Sequence, residues 1–399
     1  MAGAVIETQD DIDSARGWLI VVLGVCMLTS MWGVLFTFTV YADQLAATFS
    51  VTALQASSVF SVMTAFFLVV GGLFGVFTAR FPLRPVVAAA GVGLAVAGGL
   101  LQVVNSYLGV LVAFAVLGTA GGTIFTIVVS LTPQWFDEHR GIATSITMSG
   151  LGLGPLVLPV VWLRLFDRMA FRSAFAVVVG TTAAIVLTSS LVYRRPPSHA
   201  RNATTVDVTW LRARLGNRAF QGTVVGYALV WAWYYVFSAH LVDILTANSV
   251  NRTVAATGLS IIGGVSILTR VTGGFVGDRV GRRKTFLAGV GLASVFIFAV
   301  PFIHSTAAVY LVLVGLGAGL GPLASLWSPI VLTRFGPENA TATIGLLNIT
   351  TTLAAFLGPL AVTILDKATG GYVAPLVGLS AVTFLGAALF YRGTAPVVH

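Results

Sequence analysis

The chain has 399 residues, of which 57% are hydrophobic and only 9% are charged. A soluble domain carries about 25% charged residues, so the composition excludes an ordinary soluble protein and predicts an all-α membrane protein. The net charge of +9 does not indicate a nucleic-acid partner, because the basic residues fall in short loops between apolar segments. The single cysteine, Cys26, excludes an intrachain disulfide.

Apolar runs of about 20 residues are long enough to cross a hydrocarbon core as helices, and their spacing predicts twelve spans. The first run is too long for a signal-peptide core and is interpreted as a retained span. The predicted spans are 17–40, 52–78, 84–104, 107–131, 141–165, 172–193, 219–244, 253–277, 284–304, 307–333, 340–365 and 372–391. They define a six-helix half over 1–193, a cytoplasmic linker over 194–218 and a second six-helix half over 219–399.

The distribution of lysine and arginine predicts the orientation of these spans. With both termini in the cytoplasm, 16 of the 22 basic residues fall in inner loops and five fall on the outer side. This asymmetry favours cytoplasmic termini, because inner loops carry an excess of Lys and Arg. The one basic residue that fits no loop is Arg270, which lies inside span 8.

The two halves resemble each other at a nearly constant offset. The segment "ARFPLR" at 79–84 lies 199 residues before "DRVGRR" at 278–283, and each follows an even-numbered span. Phe136 precedes Phe335 by the same 199 residues. These repeats predict two pseudo-symmetric six-helix units, and two such units around a midplane cavity are typical of transporters that work by rocking.

The segment "GGFVGDRVGRRK" at 273–284 resembles the loop signature of the major facilitator superfamily. In that family the acidic and basic residues of this loop latch the helices of one half on the cytoplasmic side. The resemblance implies a latch formed by Gly274, Asp278, Arg279 and Arg282. The first-half copy has Ala79 and Pro82 at the Asp and Gly positions, so we expect a weakened latch there.

Three further segments are similar to the branch that holds monocarboxylate transporters and oxalate/formate antiporters. They are "RGWLIV" at 16–21, "WFDEHRGIATSITMSGLGLGPLVLP" at 135–159 and "FRSAF" at 171–175. The resemblance implies that Arg270 is the substrate-binding arginine of span 8. The second cation of the antiporters, a lysine in span 11, falls at Thr351. Their polar and tyrosine contacts fall at four apolar residues, which are Leu35, Phe36, Phe125 and Leu151.

One cation beside an apolar wall favours a small monocarboxylate such as lactate or pyruvate over oxalate. Proton symport is implied by the same resemblance, although the sequence departs from the animal monocarboxylate transporters at two positions. Their aspartate one turn before the arginine is Ser266 here, and span 1 has no lysine. The proton could therefore travel on the substrate carboxylate or through His240 in span 7, whose side chain changes charge near neutral pH.

No acidic residue of the sequence is predicted to lie at the same depth in the membrane as Arg270. An arginine near the bilayer centre costs at least about 2.5–3.5 kcal/mol, and every acid falls near a span end, in a loop or in the amino-terminal tail. We interpret the missing counter-ion as the substrate, because a guanidinium binds a carboxylate through two parallel hydrogen bonds. The alternative is an arginine satisfied by helix carbonyls or by Asn and Ser side chains.

Other polar and aromatic residues of the spans leave two interpretations open. Asn348 and Ser325 could contact substrate or could make helix–helix hydrogen bonds. His240 could couple protons or could be an interfacial histidine. The run "WAWYY" at 231–235 is predicted to combine packing with lipid contact, with one ring in the cavity.

The sequence thus predicts a monomeric secondary transporter of the cytoplasmic membrane that needs no cofactor or metal. Its expected partners are a small monocarboxylate anion, protons and the lipid bilayer. An exchanger of the oxalate/formate type is the alternative within the same class. A non-transporting receptor on the same fold is the alternative from another class. The spans carry no constellation of catalytic side chains, so an enzyme is not expected.

Overall fold

The computed structural model describes residues 12–77, 82–136, 138–194, 208–303, 305–336 and 340–396. Twelve helices in these ranges are long and apolar enough to cross a membrane, as predicted. Spans 1–6 are Ala15–Phe36, Ala53–Phe77, Leu83–Val103, Tyr107–Leu131, Arg140–Phe166 and Phe171–Ser190. Spans 7–12 are Arg218–Ala247, Gly258–Val280, Arg282–Ala299, Thr306–Phe335, Ala340–Thr369 and Val373–Gly393. Ala79 and most of the predicted linker, residues 195–207, lie outside the described residues.

Side-chain caps and glycines set the ends of several spans. The Ser14, Ser106 and Ser305 hydroxyls accept hydrogen bonds from backbone amides at the starts of spans 1, 4 and 10, which satisfies donors that the helix itself leaves free. Between spans 8 and 9, Gly281 has a φ of +109°, a conformation that glycine adopts without steric cost. This single residue reverses the chain at the loop that carries the family signature.

Two segments depart from the predicted outline. Span 1 breaks at Thr37 and continues as a second helix, Phe38–Phe49. At the break, the Thr37 hydroxyl donates to the Gly33 carbonyl at 2.5 Å and accepts from the Trp162 indole at 3.0 Å. The linker contains a helix, Val208–Gly216. Its Arg214 donates to the Phe335 carbonyl and so attaches the linker to the end of span 10.

The two six-helix halves pack against each other through spans 2 and 11, spans 5 and 8, and the continuation of span 1 against span 7. We call the end of the molecule where the described chain begins at residue 12 and ends at residue 396 the terminal side, and the opposite end the outer side. On the outer side, Asp43 and Arg252 form an ion pair between the halves. The Val242 amide donates to the Thr39 hydroxyl at 2.8 Å. This conformation is therefore closed on the outer side.

Span 4 approaches span 2 at Gly118 and Gly122. A Cβ at Gly122 would overlap the carbonyl oxygen of Phe67, and one at Gly118 would overlap that of Met63. Small residues of this kind let membrane helices pack backbone to backbone.

We expect Gly122→Val to destabilise the protein by about 1–3 kcal/mol, because the added methyl groups force spans 2 and 4 apart. Thermal unfolding in detergent should then begin several degrees lower than for the wild type. Gly99→Val is the matched control, since a Cβ added at Gly99 would have no neighbour within 4 Å. Equal unfolding temperatures for the two variants would contradict close packing at Gly122.

Candidate functional site

Arg270 lies at mid-depth, twelve residues after the first residue of span 8 and ten before the last. At 1.5 Å per residue it is about 18 Å from the start of this helix and about 15 Å from its end. Its neighbours Leu268 and Val271 are each 70% exposed and face outwards, whereas its own side chain reaches span 5 of the other half. Nη1 donates to the Met148 carbonyl at 3.0 Å. The side chain therefore lies at the interface between the halves.

The guanidinium is only partly satisfied by the protein. An arginine has five N–H donors and no acceptor. The Nε atom of Arg270 is buried and has no hydrogen-bond partner among the residues that the structure describes. The hydrogen bond to the Met148 carbonyl agrees in part with the alternative interpretation, in which helix carbonyls satisfy this arginine. It leaves donors that an incoming carboxylate could occupy.

Glycines bring spans 5 and 8 close enough for this contact. A Cβ at Gly263 would lie 2.8 Å from the Gly152 carbonyl oxygen, and one at Gly152 would meet the Ile267 side chain. Arg270 follows Gly263 by seven residues, about two helical turns, and so shares its face. The predicted site residue Leu151 is half-buried beside this contact.

An aromatic cluster lies between the halves. The first half contributes Trp32, Phe36, Phe67 and Phe125, and the second contributes Tyr227, Trp231, Tyr234, Tyr235 and Trp327. We call these nine residues the central aromatic cluster. Phe36 and Tyr234 lie 5.5 Å apart between ring centroids, and they join the two contributions. The predicted site residues Phe36 and Phe125 both belong to this cluster.

Sequence reasoning expected one ring of the run at 231–235 in the cavity but did not single out Tyr234. Its hydroxyl oxygen accepts a hydrogen bond from the Trp32 indole at 2.9 Å, across the interface between the halves. The same hydroxyl also interacts with the Ser238 side chain, one turn further along span 7. Tyr234 also interacts electrostatically with Arg270. The Tyr234 hydroxyl is thus a second hydrogen-bonding group, close enough to Arg270 to interact with its charge.

The other predicted site residues are placed as follows. Leu35 packs inside the first half, with Met31, Leu117 and Val179 around it, and its side chain faces Gly121 of span 4. The Ser325 hydroxyl bonds the Gly321 carbonyl of its own helix at 3.0 Å. Asn348 is half-buried in span 11. Leu35 thus lies on the first-half side of the central aromatic cluster, where the Gly121 position adjoins both Leu35 and Phe67. Substrate roles for these residues stay predictions.

His240 lies in a polar group between spans 2, 7 and 11, near the outer side. Its side chain is buried, and Nε2 lies 3.1 Å from the Pro359 carbonyl oxygen. Ser57 and Thr363, from different halves, bond each other at 2.7 Å, and each hydroxyl lies 3.4 Å from the same Nε2. Nδ1 lies 3.8 Å from the Asp243 carboxylate, which is 37% exposed. The histidine is therefore both part of the contact between the halves and adjacent to an acid within reach of water.

The latch predicted around Asp278 lies on the terminal side of the second half. Asp278 accepts from Arg282 Nε at 3.0 Å, one turn along the chain. Arg279 lies over the Phe275 ring, with its guanidinium carbon 3.8 Å from the ring centroid. Gly274 has open space around it. Asp278, Arg279 and Arg282 thus contact partners within the signature segment itself, and a latch function stays a prediction.

Comparison with known proteins identifies the family to which this arrangement belongs. The family model described as Major Facilitator Superfamily matches residues 20–246 and, as a second copy, 220–399. The chain belongs to the major facilitator superfamily. It is therefore a multi-pass membrane transporter, and the predicted family is confirmed.

Individual relatives lie at low identity. The "MFS transporter asaE" of Aspergillus flavus is 26% identical over 275 residues, which span 67% of this chain and 60% of that protein. "Monocarboxylate transporter 13" of Rattus norvegicus is 22% identical over 386 residues, 96% of this chain and 90% of the relative. The "Oxalate:formate antiporter" of Oxalobacter formigenes is 24% identical over 299 residues, 72% and 69% of the two chains. The predicted branch is represented among these relatives.

A solved structure shows the same fold. It is the crystal structure of a bacterial homolog to the human lysosomal transporter Spinster, in an inward-facing and unoccupied conformation. The match has a TM-score of 0.75 at 13% identity and covers 96% of this chain and 98% of the other. The twelve-helix, two-half architecture is confirmed.

Proposed function

We propose that this transporter carries a small monocarboxylate of the lactate or pyruvate type across the cytoplasmic membrane, in symport with a proton. The observation that carries the proposal is the mid-depth guanidinium of Arg270, whose buried Nε has no partner in the described part of the chain. A carboxylate is the anion that matches its planar fork. The relatives named for monocarboxylates and for oxalate and formate support an organic-anion substrate.

The surroundings of Arg270 favour one carboxylate rather than two. The position of the second antiporter cation is Thr351, which is buried and donates its hydroxyl to the Leu347 carbonyl at 2.7 Å. The aromatic rings of Phe36 and Phe125 provide an apolar surface. A short apolar tail on a single carboxylate fits this combination of one cation and aromatic walls.

The test is uptake by the purified protein in proteoliposomes. Labelled lactate, pyruvate, formate and oxalate are each supplied with and without an acidic outside. We expect lactate or pyruvate to be taken up faster than oxalate and the uptake to respond to the pH gradient. Counterflow of oxalate against formate without any pH response would contradict the proposal and favour the exchanger.

Tyr234→Phe should weaken substrate binding about 5- to 10-fold, because it removes one donor to the carboxylate, worth about 1–1.5 kcal/mol. The half-saturating substrate concentration in the uptake assay measures this change. Tyr235→Phe is the matched control, since Tyr235 is buried in the same cluster and no hydrogen bond of its hydroxyl is seen in the described residues. Equal changes in both variants would argue against a specific role of Tyr234.

His240→Gln tests the route of the proton. The glutamine amide can still donate a hydrogen bond to the Pro359 carbonyl, but it cannot take up and release a proton. For one proton per electroneutral cycle, a gradient of one pH unit supports at most about tenfold accumulation, equal to about 1.4 kcal/mol. We expect this accumulation to fall towards one in the variant, while exchange without a gradient continues. Unchanged accumulation would exclude His240 as the coupling group and would leave the proton on the substrate carboxylate.

A further inference from the structure

A groove of about 710 Å³ opens on the terminal side of the second half, between the ends of spans 8, 9, 10 and 12. Its lining includes four cations from two different elements, which are Arg282, Arg283, Lys284 and Arg334. The one acid in the lining is Asp278, and it is paired with Arg282 at 2.9 Å. The other three cations have no acidic partner among the described residues. The groove therefore carries an excess of positive charge.

Several hydrogen-bond donors in this groove are fixed in place. Arg283 lies over the Tyr391 ring at 4.2 Å. It donates from Nε to the Thr394 hydroxyl at 3.3 Å and from Nη2 to the Tyr391 carbonyl, which leaves Nη1 without a hydrogen bond in the described residues. Arg334 Nε is buried without a hydrogen-bond partner in the described chain. Span 9 begins at Arg282 with no side-chain cap, and the free amides of a helix start attract anions. A phosphate group could therefore bind with little rearrangement of the protein.

The position of the groove distinguishes it from an ordinary set of loop charges. The positive-inside rule explains basic loops, but it does not require them to converge on one concavity or to leave a buried donor unpaired. Val280 lines the groove and is 59% exposed. Phe275 and Val276, on the same helix, are 57% and 42% exposed. Apolar residues that face lipid thus lie directly beside the cationic lining.

We propose that this groove binds the phosphate of an anionic phospholipid from the leaflet on the terminal side. Basic pockets between transmembrane helices bind such head groups. The phosphate lies among Arg283, Lys284 and Arg334, and the acyl chains lie along the exposed apolar face of span 8. Inorganic phosphate has the same charged chemistry without the acyl chains. The proposal does not depend on which substrate Arg270 binds.

The test is lipid retention by the full-length protein in detergent, measured by native mass spectrometry. Phosphatidylglycerol and phosphatidylcholine with identical acyl chains are compared, and inorganic phosphate is added separately. We expect retention of phosphatidylglycerol over phosphatidylcholine, and a loss of roughly 5- to 10-fold in the double variant Lys284→Gln/Arg334→Gln. Arg218→Gln is the control, because Arg218 is an exposed arginine on the same side but outside the groove.

The single variant Lys284→Gln guards against a folding defect, since Lys284 is exposed and no hydrogen bond of its side chain is seen in the described residues. A reduction of at least twofold in this variant alone would support the proposal. Equal retention of the two lipids by the wild type would overturn it, and so would the same loss in Arg218→Gln. A third outcome is that the wild type binds inorganic phosphate, the double variant does not, and phosphatidylglycerol is not retained. This result would overturn the proposal of a lipid ligand and would assign the groove to a soluble phosphate.

Discussion

Arg270→Lys should lower transport by roughly 10- to 150-fold at subsaturating substrate. Lysine keeps the positive charge, but it replaces a planar fork by a point charge that cannot form two parallel bonds to one carboxylate. A hydrogen bond to a charged group is worth about 1.5–3 kcal/mol, which corresponds to that range. Initial uptake rates over a range of substrate concentrations measure the effect, and we expect it mainly in the half-saturating concentration.

The comparison needs a control for the loss of an arginine elsewhere. Arg218→Lys makes the same chemical change at an exposed position at the start of span 7, and we expect unchanged uptake. Substitution of the Met148 side chain is a further control. Met148 contacts Arg270 through its backbone carbonyl, which the substitution leaves in place, so we expect unchanged uptake. Full transport with unchanged affinity in Arg270→Lys would show that the guanidinium is satisfied within the protein and does not bind substrate.

Cross-linking the two halves on the outer side should abolish transport. The Ser57 and Thr363 hydroxyl oxygens lie 2.7 Å apart, on spans 2 and 11. Cysteines at both positions place two sulfur atoms within reach of disulfide geometry. The background variant is Cys26→Ser, since Cys26 is the only native cysteine and is exposed. Alternating access requires the outer side to open, so we expect uptake to fall to the level of empty liposomes after oxidation.

Reduction with a thiol should restore uptake in the same preparation, which separates a lock from a folding defect. The single variants Ser57→Cys and Thr363→Cys, treated with the same oxidant, should retain their activity. Mass measurement under non-reducing conditions confirms that the bond has formed. Transport at the unlinked rate by fully cross-linked protein would contradict a cycle in which the outer contact between spans 2 and 11 separates.

The sequence alone was sufficient to predict the twelve spans and the position of Arg270 in the middle of span 8. Twenty apolar residues bounded by polar loops admit little other than a membrane helix, and a topology count isolates the one cation that no loop accommodates. The break at Thr37 was not predictable in this way. The residue at the break contacts the Trp162 indole of span 5, and no local pattern in span 1 shows that partner.

Rotation about a helix axis limited the prediction of the site. Adjacent residues differ by about 100° on an α-helix, so Leu35 and Phe36 cannot share one face. The structure places Phe36 against Tyr234 of the other half and Leu35 inside its own half. The run "WAWYY" shows the same limit, because its aromatic residues point in several directions. Only the packing of span 7 against span 1 determines that Tyr234 meets Trp32.

Under the proposed contact between Tyr234 and the substrate carboxylate, the hydrogen bond between Trp32 and Tyr234 makes the two sides of the membrane inequivalent for the substrate. Because the two residues belong to different halves, we expect the bond to exist when the outer side is closed and to be lost when it opens. In the closed form the indole occupies one lone pair of the hydroxyl oxygen and directs the hydroxyl hydrogen. A substrate that uses this hydrogen therefore has different dissociation constants at the two faces. By thermodynamic reciprocity, the ratio of those constants is also the factor by which bound substrate shifts the equilibrium between the two conformations.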